Sequence, residues 1–413
     1  MTIGHDDIAG IGIPRESWLQ LFLRFLRFGA LAWGGPVAQI AMIRHELVER
    51  ERWIDGGQFN RALAVYQVLP GPEAHELCVY FGMLARGRWG AVVAGLGFML
   101  PGFVLMFALS WAYVRFGLGL EGVQAVFAAV QAAVAALIVR AVFRIGGHVV
   151  TDRWLWAIAI VATGAQLAGV HFAWSLAGGG LAYVLARNGY HRLAAGAIGL
   201  AAIAVAAVVA LAGGLPGFDA LAHERGIAAV ASADAGLPVA VLFWSGLKAG
   251  LLTFGGAYTA IPFLQRDAVT QGAWMSNAQF LDGLALGGVL PAPLIIFSTF
   301  VGYLGGGPWG AVAMTAGVFL PAFGFTLLGH DLLERLVHQP RIRLFLEGVT
   351  AGVVGLIAGT SLALLKAGVD DLATLAVFAL ALVLLFRWAS SLAIPVAIGG
   401  AALFGLLSLA WPG

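Results

Sequence analysis

Charge is scarce in this chain. Of its 413 residues only 11% are Asp, Glu, Lys or Arg, against about 25% in soluble domains. The formal net charge is +2, so no nucleic acid or other polyanionic partner is indicated. Cysteine is scarcer still. Cys78 stands alone, which excludes an intrachain disulfide and a cysteine-based metal cluster. In its apolar setting it reads as a small buried residue. The chain carries no Walker-type phosphate loop, no HExxH and no Cys/His cluster. ATP-driven work and metal-centred catalysis therefore lack their usual residues, and no cofactor is expected. The tail 1–16 places acids before any apolar run and has no small-residue cleavage site, unlike a secretory signal peptide.

Hydrophobic residues make up 61% of the chain. Apolar runs at 154–170, 193–213, 349–365 and 372–386 approach the roughly 20 residues that cross a bilayer as a helix. A transmembrane barrel would alternate polar and apolar residues instead. The class is an all-α polytopic membrane protein, with the lipid bilayer as its surroundings.

Within this apolar background the expensive residues repeat. Trp33-Gly34-Gly35-Pro36 returns 221 residues later as Phe254-Gly255-Gly256-Ala257, and Leu69-Pro70-Gly71-Pro72 returns as Leu290-Pro291-Ala292-Pro293. At the same offset Arg27 matches Lys248, Glu46 matches Asp267 and Trp53 matches Trp274. Trp89-Gly90 and Leu100-Pro101 find partners at an offset of 220, and Glu121 and Arg140 at 226. Chance matching of apolar helices yields Leu, Ala and Val, not Trp, Pro and charge in register. The chain divides into the tail 1–16, a first repeat 17–145, a linker 146–237 with three transmembrane helices, a second repeat 238–367 and two C-terminal helices over 368–413.

Loop charge sets orientation. The basic turn Arg86-Gly87-Arg88 corresponds to the neutral Gly305-Gly306-Gly307, and the basic end of repeat one (Arg140, Arg144, Arg153) to an end carrying Asp370 and Asp371. The repeats thus read as inverted, a recurring design of secondary transporters. An odd number of linker crossings agrees, with the acidic stretch 218–234 outside. Both ends of 17–86 read as cytoplasmic. Two full crossings satisfy that, and so do two re-entrant hairpins with tips at 34–36 and 70–72. The short segments favour the hairpins.

The residues Phe28-Gly29, Trp33-Gly34-Gly35-Pro36, Trp53, Leu69-Pro70-Gly71-Pro72-Glu73, Gly82, Gly90 and Leu100-Pro101 resemble the chromate transporter family, in its long two-domain form. Repeat two departs from the pattern at Ala257 and Ala292. The resemblance implies chromate efflux coupled to protons, by antiport, in the bacterial inner membrane. A carrier of sulfate or another oxyanion is the alternative within transport. From another class, an intramembrane enzyme using Glu73, His75 and Glu76 stays open. So does a homodimer.

Four breaks then form the candidate substrate site: Gly34, Gly35 and Pro36; Pro70, Gly71 and Pro72; Gly255 and Gly256; Pro291 and Pro293. Proline costs nothing at a helix start, where the first N–H groups are unpaired and favour an anion. Arg27 and Lys248 lie seven residues before the glycine pairs and serve as oxyanion ligands or as ion-pair gates. Arg140 and Lys366, also matched, read as anchors. Glu73 and Glu76 share a helical face with Tyr80 and have no acidic counterparts in repeat two (Leu294, Phe297). They are the candidates for proton coupling, or else complement the helix dipole. His75 joins them by position, though on another face.

Overall fold

A computed structural model describes residues 12–14, 16–33, 35–67, 69–116, 121–222, 236–337, 339–388, 390 and 392–410. Gly34, most of the tail 1–16 and most of the 218–234 stretch lie outside the described residues. All regular structure among them is helical. A helix satisfies its own backbone groups in a bilayer, and an open sheet does not.

Short helices come first. α1 (Trp18–Ala30), α2 (Gly35–Ile43) with a π-helical extension over Arg44–Arg50, and α3 (Gly56–Tyr66) hold 13, 9, 7 and 11 residues. At about 1.5 Å per residue, none of these segments reaches across the roughly 30 Å of a bilayer core. Ser17 and Gln20 build a capping box at the start of α1, and Asp55 caps α3. α4 (Glu73–Phe116) is long but doubles back. Arg86 and Gly87 leave the helical region, with Gly87 at φ 64°. The two limbs lie so close that a Cβ on Gly82 would stand 2.3 Å from the Gly90 carbonyl oxygen. Its first limb is therefore another short segment.

α5 (Glu121–Val149) completes this set. α6 (Arg153–Leu167), α7 (Phe172–Arg187), α8 (His191–Ala212) and the short α9 (Pro216–Ala222) follow. The first pattern then recurs. α10 (Val239–Leu251) leads to a 3₁₀ turn at Ala257–Ala260, then α11 (Ile261–Gln265) with a π extension over Arg266–Gln271, then α12 (Asn277–Val289). A second 3₁₀ turn, Leu294–Phe297, opens into α13 (Ser298–Val337), and α14 (Pro340–Gly368) follows. Local details recur as well. Arg52 and Ala273, 221 apart, take positive φ of 53° and 51°, and in the matched turns Gly87 takes 64° and Gly307, 220 residues on, 61°. The match loosens at the last helix: Glu121 opens α5, whereas Glu347 lies about two turns inside α14. α15 (Leu372–Arg387) and α16 (Ala393–Ala410) finish the chain.

Among the described residues, five helical stretches are long and apolar enough to cross a membrane: Glu73–Phe116, Gln124–Val149, His191–Ala212, Leu294–Leu327 and Pro340–Gly368. The runs at 154–170 and 372–386 lie in helices of only 15 and 16 residues, α6 and α15. Asp152 and Asp371 cap α6 and α15, and these caps set where the helices begin.

α1 packs on α4, α10 on α13, and α13 against α4. α6 and α7 pack on α14, while α15 and α16 pack on α5. α14 meets its neighbours through small residues: a Cβ on Gly355 would stand 2.3 Å from the Ala159 carbonyl oxygen. Such contacts bring helices close where lipid removes the hydrophobic drive to associate. The short helices of the first set bury a core of their own, with Leu21, Phe25, Trp53, Phe59, Phe81 and Phe98. Those of the second set share one core with α5, α14, α15 and α16.

Candidate functional site

The breaks of the two sets meet. The Gly71 amide donates to the Thr253 carbonyl at 2.8 Å, two residues before Gly255. In return, Ala292 lies against α4, where a Cβ on Gly102 would stand 2.4 Å from the Ala292 Cβ. The turn at Leu294–Phe297 packs on the turn at Ala257–Ala260. Gly255 sits beside Thr350 and Ile145. Gly35 and Gly256 occupy matching positions at φ 79° and 113°, where a side chain would be strained. A Cβ at either would meet nothing within 4 Å, so space lies open beside both. Pro36 is the second residue of α2, and Pro72 directly precedes α4. In the second set both segments after the breaks, at Gly256 and Pro293, begin as 3₁₀ turns.

Buried polar atoms without a hydrogen-bond partner are rare in folded proteins. Here Gln39 Oε1, His75 Nδ1, both carboxyl oxygens of Glu76 and Ser298 Oγ lack one among the described residues. Every one of these residues follows a break within five positions; Ser175 Oγ, in α7, is the exception. Gln39 uses its Nε2 to hold the Ala32 carbonyl of the first break at 2.9 Å. Glu76 is fully buried. Its Oε1 stands 2.6 Å from where a Gly71 Cβ would be, so the missing side chain at Gly71 is what makes room for the carboxyl.

The neighbours of Glu76 divide by role. His75 Nε2 lies 3.2 Å from the Gly95 carbonyl oxygen, and its ring packs on Phe98, Phe319 and Phe323. That is a structural position tying α4 to α13. Glu73 is half-buried and Tyr80 is buried. The Tyr80 hydroxyl accepts from Gln58 Nε2 at 3.3 Å, and its ring meets Tyr66. Tyr66 in turn accepts from Thr326 on α13 at 3.3 Å.

The matched cations differ. Lys248 Nζ is 2.6 Å from Asp267 Oδ1, and Ser245 Oγ donates to Asp267 Oδ2 at 2.6 Å. The pair ties α10 to the π extension that carries Asp267. Arg27 is exposed and pairs with none of the described residues. The neighbouring Arg24 takes the partners, Glu16 and Glu51. Arg140, read as an anchor, is half-buried in α5. Lys366 lies over the Phe218 ring. One acid escaped the sequence reading. Asp282 is fully buried in α12 and bonds to Tyr113 and Gln131. An aspartate inside the apolar run 280–290 was the available signal.

The family model described as chromate transporter matches residues 19–232 and again 240–406. The chain belongs to the chromate transporter family. It is 56% identical over 398 residues to a chromate transport protein of Pseudomonas aeruginosa, covering 95% of this chain and 93% of that one. It is 34% identical to a chromate transport protein of Cupriavidus metallidurans, covering 96% and 94%. A probable chromate transport protein of Synechococcus elongatus is 31% identical, covering 95% and 96%. No solved structure matches the chain. The protein is a multi-pass membrane transporter and not an enzyme, which removes the intramembrane-enzyme reading of Glu73, His75 and Glu76.

Proposed function

We propose that this transporter exports chromate across the bacterial inner membrane, with two repeats of opposite orientation alternating around the breaks where they touch. The observation that carries the site is Glu76, buried and unpartnered against Gly71, in a loop whose amide is bonded to the other repeat. The oxyanion binds to backbone amides at the helix starts, approached from the open sides of Gly35 and Gly256. Sulfate, with the same shape and charge, is the natural competitor.

Glu76 decides the sign of proton coupling. Ionised, it accepts hydrogen bonds only and repels a dianion; protonated, it becomes a donor. Proton and oxyanion therefore bind together at this site, which favours co-transport over exchange. The energetics allow it. An outward-moving dianion with one proton still carries one negative charge, worth about 2.3 kcal/mol per 100 mV in an inside-negative cell.

Uptake of labelled chromate into inside-out vesicles tests this. Acid on the chromate side is expected to stimulate uptake, and sulfate to compete. Stimulation only by acid on the far side would show exchange and end the Glu76 role. Absence of chromate movement would end the chromate assignment. Reporters at Gly87 and Gly307 are expected on opposite membrane faces, and same-side labelling would defeat the inverted arrangement.

A further inference from the structure

A second buried carboxyl lies where the two repeats join, away from the breaks. Asp282 of α12 belongs to the second repeat. Its Oδ2 accepts from the Tyr113 hydroxyl of α4 at 2.7 Å, and its Oδ1 accepts from Gln131 Nε2 of α5 at 2.8 Å. Both donors belong to the first repeat. The Gln131 amide is also 3.5 Å from the Ala278 carbonyl, one turn before Asp282. The Tyr113 ring is fixed edge-on between Phe127 and Phe300. The geometry is that of a built site: two neutral donors, held from two helices, aimed at one fully buried carboxyl.

The helix that carries Asp282 is packed in apolar surroundings. Phe300 of α13 lies against Gly283, the next residue, and Gly368 of α14 against Leu281, the one before. Further along α12, Phe297 lies against Gly287, and Ile398 of α16 and Leu137 of α5 against Gly288. Tyr113 is the titratable group that bonds to it, and Asp282 forms no salt bridge with any of the described residues. A carboxylate in such surroundings has hydrogen bonds but no ion-pair partner, an expensive state away from water.

We propose that Asp282 is a proton-binding site of this transporter, distinct from Glu76, and that its proton state sets how tightly the repeats are held together. Both bonds survive either state. The ionised carboxyl accepts from Tyr113 and Gln131. The protonated one turns its new O–H toward the Tyr113 oxygen, whose own hydrogen rotates away, and still accepts from Gln131. The strength changes, because bonds to a charged acceptor are roughly twice as strong as neutral ones. Any sliding of α12 past α4 and α5 must break both bonds. Protonation loosens the junction, and deprotonation tightens it.

Infrared difference spectroscopy on the full chain in lipid tests this without chromate, so its outcome stands apart from that of the transport reading. The difference between wild type and Asp282→Asn isolates one carboxyl. The expected signal is a carboxylic-acid C=O band that disappears as pH rises and is absent from the variant. A contribution that stays ionised, or stays protonated, at every pH the folded protein tolerates overturns the proposal. Should Asp282→Asn fail to fold, Tyr113→Phe serves in its place. Loss of one hydrogen bond to the carboxyl should displace the titration midpoint by about one pH unit, and an unmoved midpoint overturns the proposal equally.

Discussion

In the first half of the molecule Arg27 is exposed and Glu46 pairs with Arg50, its neighbour one turn on. In the second half the residues at the same positions, Lys248 and Asp267, pair with each other at 2.6 Å. The acids show the reverse contrast. Glu76 is buried and unpartnered where the second half has Phe297. Asp282 is buried and doubly bonded where the first half has the exposed Arg61. One chain path thus carries two charge arrangements. The half with its own separate core holds the unsatisfied carboxyl, and the half merged into the shared core pairs Lys248 with Asp267 and bonds Asp282 twice. The two halves thus place their buried acids differently: one leaves its carboxyl unsatisfied beside a break, and the other bonds its carboxyl to the opposite half.

The largest effect should come from removing the unsatisfied acid. Glu76→Gln keeps the shape of the side chain and ends its titration. Chromate flux into vesicles is expected to fall on the order of tenfold, about 1.4 kcal/mol in the barrier, with its pH dependence flattened. Wild-type flux with an unchanged pH profile would return Glu76 to the role of a helix-dipole partner and would make the two halves functionally alike.

The paired and unpaired cations give the next contrast. Lys248→Ala leaves the buried Asp267 with Ser245 alone, and a charge left short of partners costs about 1–3 kcal/mol. Thermal unfolding in detergent should register that loss. Arg27→Ala should leave stability within about 0.5 kcal/mol, as surface changes do. If Arg27 serves the oxyanion, chromate flux still falls in that folded variant. Unchanged flux removes Arg27 from the site.

The breaks are legible in sequence because proline and glycine are costly inside apolar helices and here repeat in register. Helix starts follow from caps such as Ser17, Asp55 and Asp152, and the doubling back of α4 from Arg86-Gly87. Partner choice is not legible in the same way. Periodicity places Lys248 and Arg27 on equivalent helical faces, but Asp267 turns toward one while Glu46 turns to Arg50 on its own π extension. Asp282 shows the same limit. Its donors lie 169 and 151 residues away, and no local pattern brings Tyr113 and Gln131 to one oxygen pair. Apolar run and helix length part company at 154–170, where the run continues past the end of α6 at Leu167.

The smallest effect tests whether the two proline breaks are equivalent. Position 71 is glycine and position 292 is alanine, so Ala292→Gly makes the second break resemble the first. The Ala292 side chain packs into the space left by Gly102 on α4, and no carboxyl waits beneath it, since Phe297 stands where Glu76 does. The change removes one methyl contact and adds backbone freedom, costing about 0.5–1 kcal/mol. Chromate flux should stay within about twofold, a barrier change well under 1 kcal/mol. The reverse substitution at Gly71 is not its mirror image, because the Glu76 carboxyl already fills that space. A large loss of flux in Ala292→Gly would mean that the second break contacts the oxyanion as closely as the first. The functional centre would then be shared evenly by the two halves instead of leaning on Glu76.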